Sequence, residues 1–451
     1  MTNLISFLLL VFLSLNPQMV LAQALRFQPQ GANAVGQGNA FAAQADDASA
    51  IHYNPAGLTQ VEGVQAIFGT ALLGGSIKHK SPSGVDTRGD FGGSLVFPPP
   101  SHTYFSANLG ALGFTSFSRV TVGLGLTSPF GLNTRYPVDG PFNTAATYAT
   151  LPLLDIKPTL AYKVTEDLSL GLGADIYTFS SFLGEGQAEQ RQIGAGLFGV
   201  PAGASVEFSG KGTSVGMNAS LLYTPIRNSD GKPVASIGMV YRSQAVLPLR
   251  GALLVNGTKV ADASTSLALP PIYTVAAAVW PVRTKEREWK VELDVDVVCW
   301  KSNKDLNVSL STGSTIPQSQ QWKTVQVVAV GTEYRWLNPS WLSHWDVAAR
   351  AGYTRTENPV PDLTFSPATI SLSSNTLSVG AGLLCKQGGQ FLGAIPCGGE
   401  SAFWPKAIGF DVAYQEWFYN SRTIVGNLNS AVNGTYHAFV HLGTFSFKFL
   451  F

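Results

Sequence analysis

The residues best equipped for chemistry in this chain are two neighbouring carboxylates, Asp46 and Asp47, six histidines and three cysteines. An acidic pair can share general acid and base work. Here Asp46 and Asp47 lie in a Gly- and Ala-rich stretch and are read as acceptors for turn hydrogen bonds. The histidines are scattered without metal-ligand spacing. His437 and His441 are four apart, on one face of a strand, and are read as lumen or interface residues. No Gly-x-Ser-x-Gly elbow and no evident Ser/His pairing occurs, so covalent hydrolysis has no visible machinery. Cys385 and Cys397 are 12 residues apart; they either bridge in an oxidising compartment or stay two free thiols. With Cys299 they form no zinc signature. No catalytic residue, metal or cofactor is expected.

Chemistry being absent, composition has to speak. Charged residues are 13% of the 451, about half the usual share of roughly 25%. A net charge of +1 argues against a nucleic-acid binder. Apolar content is an ordinary 45%, and no apolar run after the N-terminus reaches the roughly 18 residues of a membrane helix. Low charge without such runs suits a transmembrane β-barrel. The block LISFLLLVFLSL at Leu4 to Leu15, followed by Val20-Leu21-Ala22, reads as a secretory signal over residues 1–22 cleaved before Gln23. No Lys or Arg precedes that block.

From Val61 onward, stretches of roughly ten alternating residues are broken by Gly, Pro, Asn or Asp. In WKVELDVDVVCW, Trp289, Val291, Leu293, Val295 and Val297 share one face; Lys290, Glu292, Asp294 and Asp296 share the other. A barrel turns the first face to lipid and the second to its lumen. Trp345 to Thr354 repeats the pattern. Trp280, Trp289, Trp300, Trp336 and Trp417 are expected at interfacial girdles. The predicted strands are 61–78, 101–109, 117–128, 153–164, 168–179, 211–224, 235–249, 271–282, 288–301, 323–335, 344–356, 375–385, 407–419 and 435–451. That is an all-β, antiparallel transmembrane barrel of about fourteen strands, even-numbered as bacterial barrels are. Long and short connections alternate, the 386–406 connection being the exception. The last strand carries Phe445, Phe447, Phe449 and Phe451 on one parity, but Tyr436, Ala438, Val440 and Leu442 on the other. A bulge near Gly443 is the expected cause. Chain-terminal Phe on such a strand resembles the signal read by the barrel-assembly machinery.

Residues 31–58, GANAVGQGNAFAAQADDASAIHYNPAGL, resemble the N-terminal plug of the FadL/TodX family of outer-membrane transporters for hydrophobic compounds. Gly36, Gly38, Phe41, Asp46, Asp47 and Asn54-Pro55-Ala56 carry the likeness. Further matches are SPFGLNTRYP (128–137), LAYKVTEDLSLGLGADIY (160–177), GMNASLLYTP (216–225) and WDVAARAGYTRTENPVPD (345–362). The resemblance implies a signal peptide (1–22), a hatch in the lumen (23–60) and a barrel (61–451) in a Gram-negative-type outer membrane. It also implies capture of ligand among extracellular loops, an interior apolar pocket, and lateral release through the barrel wall.

A greasy ligand gains about 0.8 kcal/mol per methylene on leaving water, so a dry pocket is what such transport needs. Phe27, on an arm that reaches the pocket in the family, and Phe41, Phe130, Leu132 and Phe142 are the candidate apolar contacts. Arg135, Lys157 or Lys323 would meet a ligand carboxylate; if none lines the pocket, a neutral hydrocarbon is the better substrate. A wall gap exposes unpaired backbone. Pro129, which lacks an N–H, and Gly131 are candidates for shaping one, the alternative being a plain strand-ending turn. Asn54, Pro55 and Ala56 are expected to form the fixed corner of the hatch, sensing the pocket, or otherwise a simple turn. Long-chain fatty acids are the leading substrates and aromatic hydrocarbons the alternative. A general diffusion porin is disfavoured by the plug, and an adhesin or phage-receptor role for the loops can coexist with transport. Expected partners are the hydrophobic ligand, outer-membrane lipid or lipopolysaccharide and the assembly machinery, with no nucleic acid and a monomeric state.

Overall fold

The computed structural model describes residues 25–96, 99–181, 186–196, 200–399 and 404–451, with the Leu132 side chain omitted; the expected signal segment lies outside them. Fourteen antiparallel strands close into a barrel. They are β1 (Val64–Lys80), β2 (Ser101–Asn108), β3 (Val120–Thr127), β4 (Leu154–Lys163), β5 (Leu168–Thr178), β6 (Ser214–Arg227) and β7 (Pro233–Arg242). They continue as β8 (Ile272–Arg283), β9 (Arg287–Val298), β10 (Val325–Leu337), β11 (Trp345–Thr356), β12 (Ser374–Cys385), β13 (Ala407–Tyr419) and β14 (Gly434–Leu450). Each pairs with the next, and β14 closes on β1 from Gln65 opposite Leu450 to Lys80 opposite Thr435. Closure pairs the first barrel strand with the last, so that neither is left as an edge that lipid could not hydrogen-bond.

Alternation works as the residue types dictate. On β9, Lys290, Glu292, Asp294 and Asp296 are buried inside while Trp289 is exposed outside. Phe68, Phe105 and Phe449 stand on the outer face, and Phe68 meets the other two rings at 5.3 and 6.3 Å. Such cross-strand aromatic pairs stabilise a sheet by about 0.2–1 kcal/mol each.

Three expectations need correction. The β14 register runs without a shift through Gly443, so no bulge exists. Tyr436, Val440 and Leu442 are buried inside because the upper lumen is itself apolar. By the same parity His437 and His441 face outward; they bond Ser421, and Glu416 with Tyr414. The predicted 235–249 strand is two strands: β7 stops at Arg242, and Ala245–Val255 begins a hairpin with Thr258–Leu269. Trp280, Trp300 and Trp417 do not form a girdle. Trp300 and Trp280 are buried, and Trp417 faces the interior beside Phe27 at 6.1 Å.

Short connections mark the end where the barrel starts and finishes, which is the periplasmic end in outer-membrane barrels. At the opposite end the long loops extend the same sheet, joined to the upper end of β1 through Asp86–Asp90. Asp86–Asp90, Gly131–Arg135, Tyr148–Pro152, Ala188–Ile193, Ser205–Lys211 and the 245–269 hairpin pair in succession. Cys385 and Cys397 are bridged, which settles the open pairing.

Residues 25–60 fill the lumen. Two short helices, Ala32–Gly36 and Ala50–Tyr53, and the 3-10 turn Pro55–Gln60 are almost wholly buried. Helices this short have no intrinsic stability; the wall holds them. Glycine on the inner wall makes room: a Cβ at Gly238 would lie 2.3 Å from the Ala42 carbonyl oxygen, and one at Gly352 2.2 Å from the Gln37 carbonyl carbon.

Candidate functional site

The barrel wall is interrupted above β2 and β3. Strand β3 ends at Thr127, and Ser128-Pro129-Phe130 leaves the ladder. Pro129 has no N–H to leave unpaired. The remaining groups are taken up by the segment at the start of the hatch. Phe27 N donates to Pro129 O at 2.8 Å, and Gly131 N to Leu25 O at 2.9 Å. The Gln30 amide accepts from Ser128 N and donates to Ser128 O, both at 3.0 Å. Tyr104 of β2 donates to Gln30 O at 2.6 Å. One glutamine thus replaces two ladder bonds and ties the break to the hatch.

Behind the break lies an apolar cavity of about 440 Å³, within the roughly 300–1,000 Å³ of ligand sites. Leu25, Phe27, Phe130, Leu151, Leu372, Trp417 and Val440 line it from the interior. Ser101, Thr103, Leu126 and Leu154 also line it. These alternate with inward-facing His102, Tyr104, Thr127 and Asp155, so they stand on the outer face of the wall. The cavity therefore spans from lumen to lipid-facing surface. A second cavity of about 150 Å³ lies among the extracellular strands and shares Leu25, Thr150, Leu151 and Thr369 with the first.

Below the cavity the lumen turns polar. Arg26 lines the cavity floor and pairs with Asp296 at 2.6 Å. Asp296 also accepts from Thr274 at 2.6 Å. Asp294 accepts the backbone amides of Phe41 and Ala42, each at 3.0 Å, and Glu292 that of Ala43 at 2.6 Å. Lys290 neutralises Glu292 at 2.7 Å. Arg350 joins Glu333 and Asp411, both at 2.6 Å. In the hatch, Asp46 pairs with Arg335 at 3.0 Å, and Asp47 binds Lys448 at 2.8 Å, Asn33 at 3.0 Å and Ser49 at 2.6 Å. Burial alone would raise the Asp47 carboxyl; the Lys448 ammonium and these hydrogen bonds outweigh it and hold it well below the usual carboxylate range.

Of the expected ligand contacts, the structure brings Phe27 and Phe130 together on the lining, with Gly131 beside them and Pro129 in the break. Phe41 is buried in the hatch, edge-on to Tyr53 at 5.6 Å. Phe142 is buried beneath the loops against Tyr136 and His79, both at 5.0 Å. Leu132 pairs through its backbone with Leu151. Arg135 is exposed on a loop strand, and Lys323 is exposed as well. Lys157 is buried between Asp155, at 2.7 Å, and Asp175. None of these cations lines the cavity; Arg26 does. Asn54 is fully buried in the hatch base, donating to Ala42 O at 2.7 Å and Leu221 O at 3.1 Å, away from the lining. Pro55 opens the 3-10 turn, and Ala56 N donates to Ser220 at 2.9 Å. The corner is fixed, but it touches wall rather than pocket. Sequence reading missed Gln30, Arg26 and Leu151. Only Arg26, a lone cation in an apolar arm opposite an acidic strand face, carried a signal.

Residues 18–387 match the family model described as Outer membrane protein transport protein (OMPP1/FadL/TodX). The chain belongs to the FadL/TodX family. Its outer-membrane location and its role in transporting hydrophobic compounds follow from that membership. Solved FadL/TodX barrels share its fold at low identity. A Pseudomonas aeruginosa FadL homologue is 15% identical with a TM-score of 0.70, covering 95% of this chain and 99% of that one. The P. putida toluene transporter TodX is 15% identical with a TM-score of 0.62 over the same shares. The Ralstonia pickettii toluene transporter TbuX is 16% identical with a TM-score of 0.60, again over 95% and 99%. An outer membrane protein of Neisseria meningitidis serogroup B is 32% identical over 123 residues, which is 26% of this chain and 25% of that protein.

Proposed function

We propose that hydrophobic molecules enter this FadL/TodX-family barrel between the extracellular strands, pass into the 440 Å³ cavity and leave sideways into the bilayer. The observation that carries this reading is the mixed lining: Phe27 and Phe130 from the lumen, Thr103 and Leu126 from the lipid face. Below, hatch and buried charges oppose a straight passage, because desolvated charge offers an apolar molecule nothing. The smaller outer cavity, sharing Leu151 with the inner one, supplies the entry.

Cavity size and charge narrow the ligand. An apolar cavity of about 150 Å³ holds one benzene, so this one suits an elongated chain or more than one small ring. The cation at its floor, Arg26, is already compensated by Asp296. A ligand carboxylate would have to displace that partner and leave it buried without its counter-charge, which costs several kcal/mol. An uncharged, elongated hydrophobe is therefore favoured over a fatty-acid anion. Toluene carriers among the structural relatives make monoaromatic hydrocarbons the second reading. Mass spectrometry of lipophilic molecules retained by the purified protein separates these classes. For the route, Thr103→Trp with Leu126→Trp should keep ligand bound but slow its delivery about tenfold, equivalent to about 1.4 kcal/mol on the barrier. Delivery at the wild-type rate would sink the lateral exit.

A further inference from the structure

The periplasmic rim is divided into two halves of opposite character. Around β4 to β9 the turns are charged: residues 164–167 hold Glu166 and Asp167, 228–232 hold Asp230 and Lys232, and 284–286 hold Lys285 and Glu286. Ion pairs lace them, with Lys163 on Glu166 at 3.0 Å and Arg227 on Asp167 at 2.8 Å. From β10 through the β14–β1 seam to β3 the turns carry large exposed apolar tips beside few charges, Glu62 and Arg119 among them. Phe114 in 109–119 is 58% exposed and Trp341 in 338–344 is 65% exposed.

The largest apolar turn follows β12. Residues 387–399, QGGQFLGAIPCGG, contain no charged side chain. The Cys385–Cys397 disulfide closes them into a loop around the two-residue ladder of Gln390–Phe391 with Ile395–Pro396. This loop folds back on the outside of the wall. Phe391 stacks on Trp345, centroids 6.0 Å apart and planes at 26°. It buries Ile408 and packs beside Phe410, Phe447 and Phe449, all of which alternate with lumen-facing residues. His344 clamps its base, accepting Lys386 N at 2.7 Å on its carbonyl and meeting Gln387 O at 3.0 Å through Nδ1. Leu392, at the tip, is 81% exposed. Trp404 satisfies its indole N–H on Pro396 O at 2.8 Å and leaves its ring in the open. The loop thus extends the lipid-facing surface of β11, β13 and β14 beyond the barrel's end.

We propose that this apolar half of the rim is a lipid-docking surface, with the disulfide-closed loop as its anchor in the inner, phospholipid leaflet. Continuity with the lipid-facing phenylalanines, the uncharged 387–399 segment and its closure by the disulfide fit the interface of a bilayer, where aromatic and aliphatic tips sit among headgroups and acyl chains. The charged half stays in water. Lys386, paired with Asp346 at 2.6 Å, and exposed Lys406 flank the loop at headgroup level.

The experiment places a benzophenone-bearing phenylalanine at Leu392, at Phe114 or at Ser229, the last in a charged turn. Each full-length barrel, its fold verified by heat-modifiable mobility, is irradiated both in phospholipid bilayers and in whole cells. Phospholipid adducts at 392 and 114 with none above background at 229 are expected. Lipid adducts absent from 392, equal yields at all three positions, or a protein adduct replacing lipid at 392 in cells would overturn the proposal.

Discussion

Arg26 decides more than any residue singled out for chemistry. It is held by Asp296 at 2.6 Å on the floor of the cavity. Asp296→Asn removes the compensating charge and leaves Arg26 seeking an anion. Fatty-acid affinity should then rise about tenfold or more relative to a neutral hydrocarbon of equal length, about 1.4 kcal/mol, read by calorimetry in detergent. No change would mean that Arg26 does not meet the ligand. Asn54 acts differently. Its amide closes the hatch base on Ala42 and Leu221, so Asn54→Ala strands buried backbone carbonyls at about 1–3 kcal/mol. Barrel assembly should survive while uptake falls and hatch proteolysis rises; unchanged uptake would remove the hatch from the transport cycle. At this scale the sequence was legible in part. Phe27 and Phe130 were found because an arm and a Pro-Gly break mark themselves. Phe142 and Arg135, read as ligand contacts too, lie off the lining, because both fall in the 129–152 connection, where no alternation fixes which way a side chain points.

Among elements, the break after β3 carries the argument. Gln30 stands in for the missing neighbour strand. Gln30→Ala leaves Ser128 N–H and C=O unpaired, at about 1–3 kcal/mol if they stay dry. Hydrogen exchange at 128–131 should quicken while β4 to β9 stay protected; uniform protection would show that the break holds itself. The period-two pattern located all fourteen barrel strands, because lipid outside and charge inside impose opposite chemistry on successive residues. It failed where the two sides match. In β14 the inward face is apolar in the upper half and the outward face in the lower half, and that swap of apolar parity mimicked a bulge at Gly443. Beyond Arg242 the chain stays β-prone while leaving the barrel, so nothing in its residues marked the exit.

For the whole molecule, closure is the feature to test. Phe451 N donates to Val64 O at 2.9 Å, so the final residue completes the ladder between the first and last strands. Deleting Phe451 should lower the yield of heat-modifiable barrel severalfold; full yield would show that the seam closes without it. The division into a dry upper lumen and a charged, hatch-filled lower one follows from where Asp and Glu fall on β9, β10 and β13, which the sequence displayed. The extracellular strands did not announce themselves: four run to only five or six residues, and the longer 245–269 hairpin follows directly on β7. A further consequence lies in the β14–β1 register. Since Gln65 must wait for Leu450 and Lys80 for Thr435, the unclosed sheet carries two raw edges until β14 docks on β1. Insertion must therefore keep those two edges from pairing with other chains until the seam has closed.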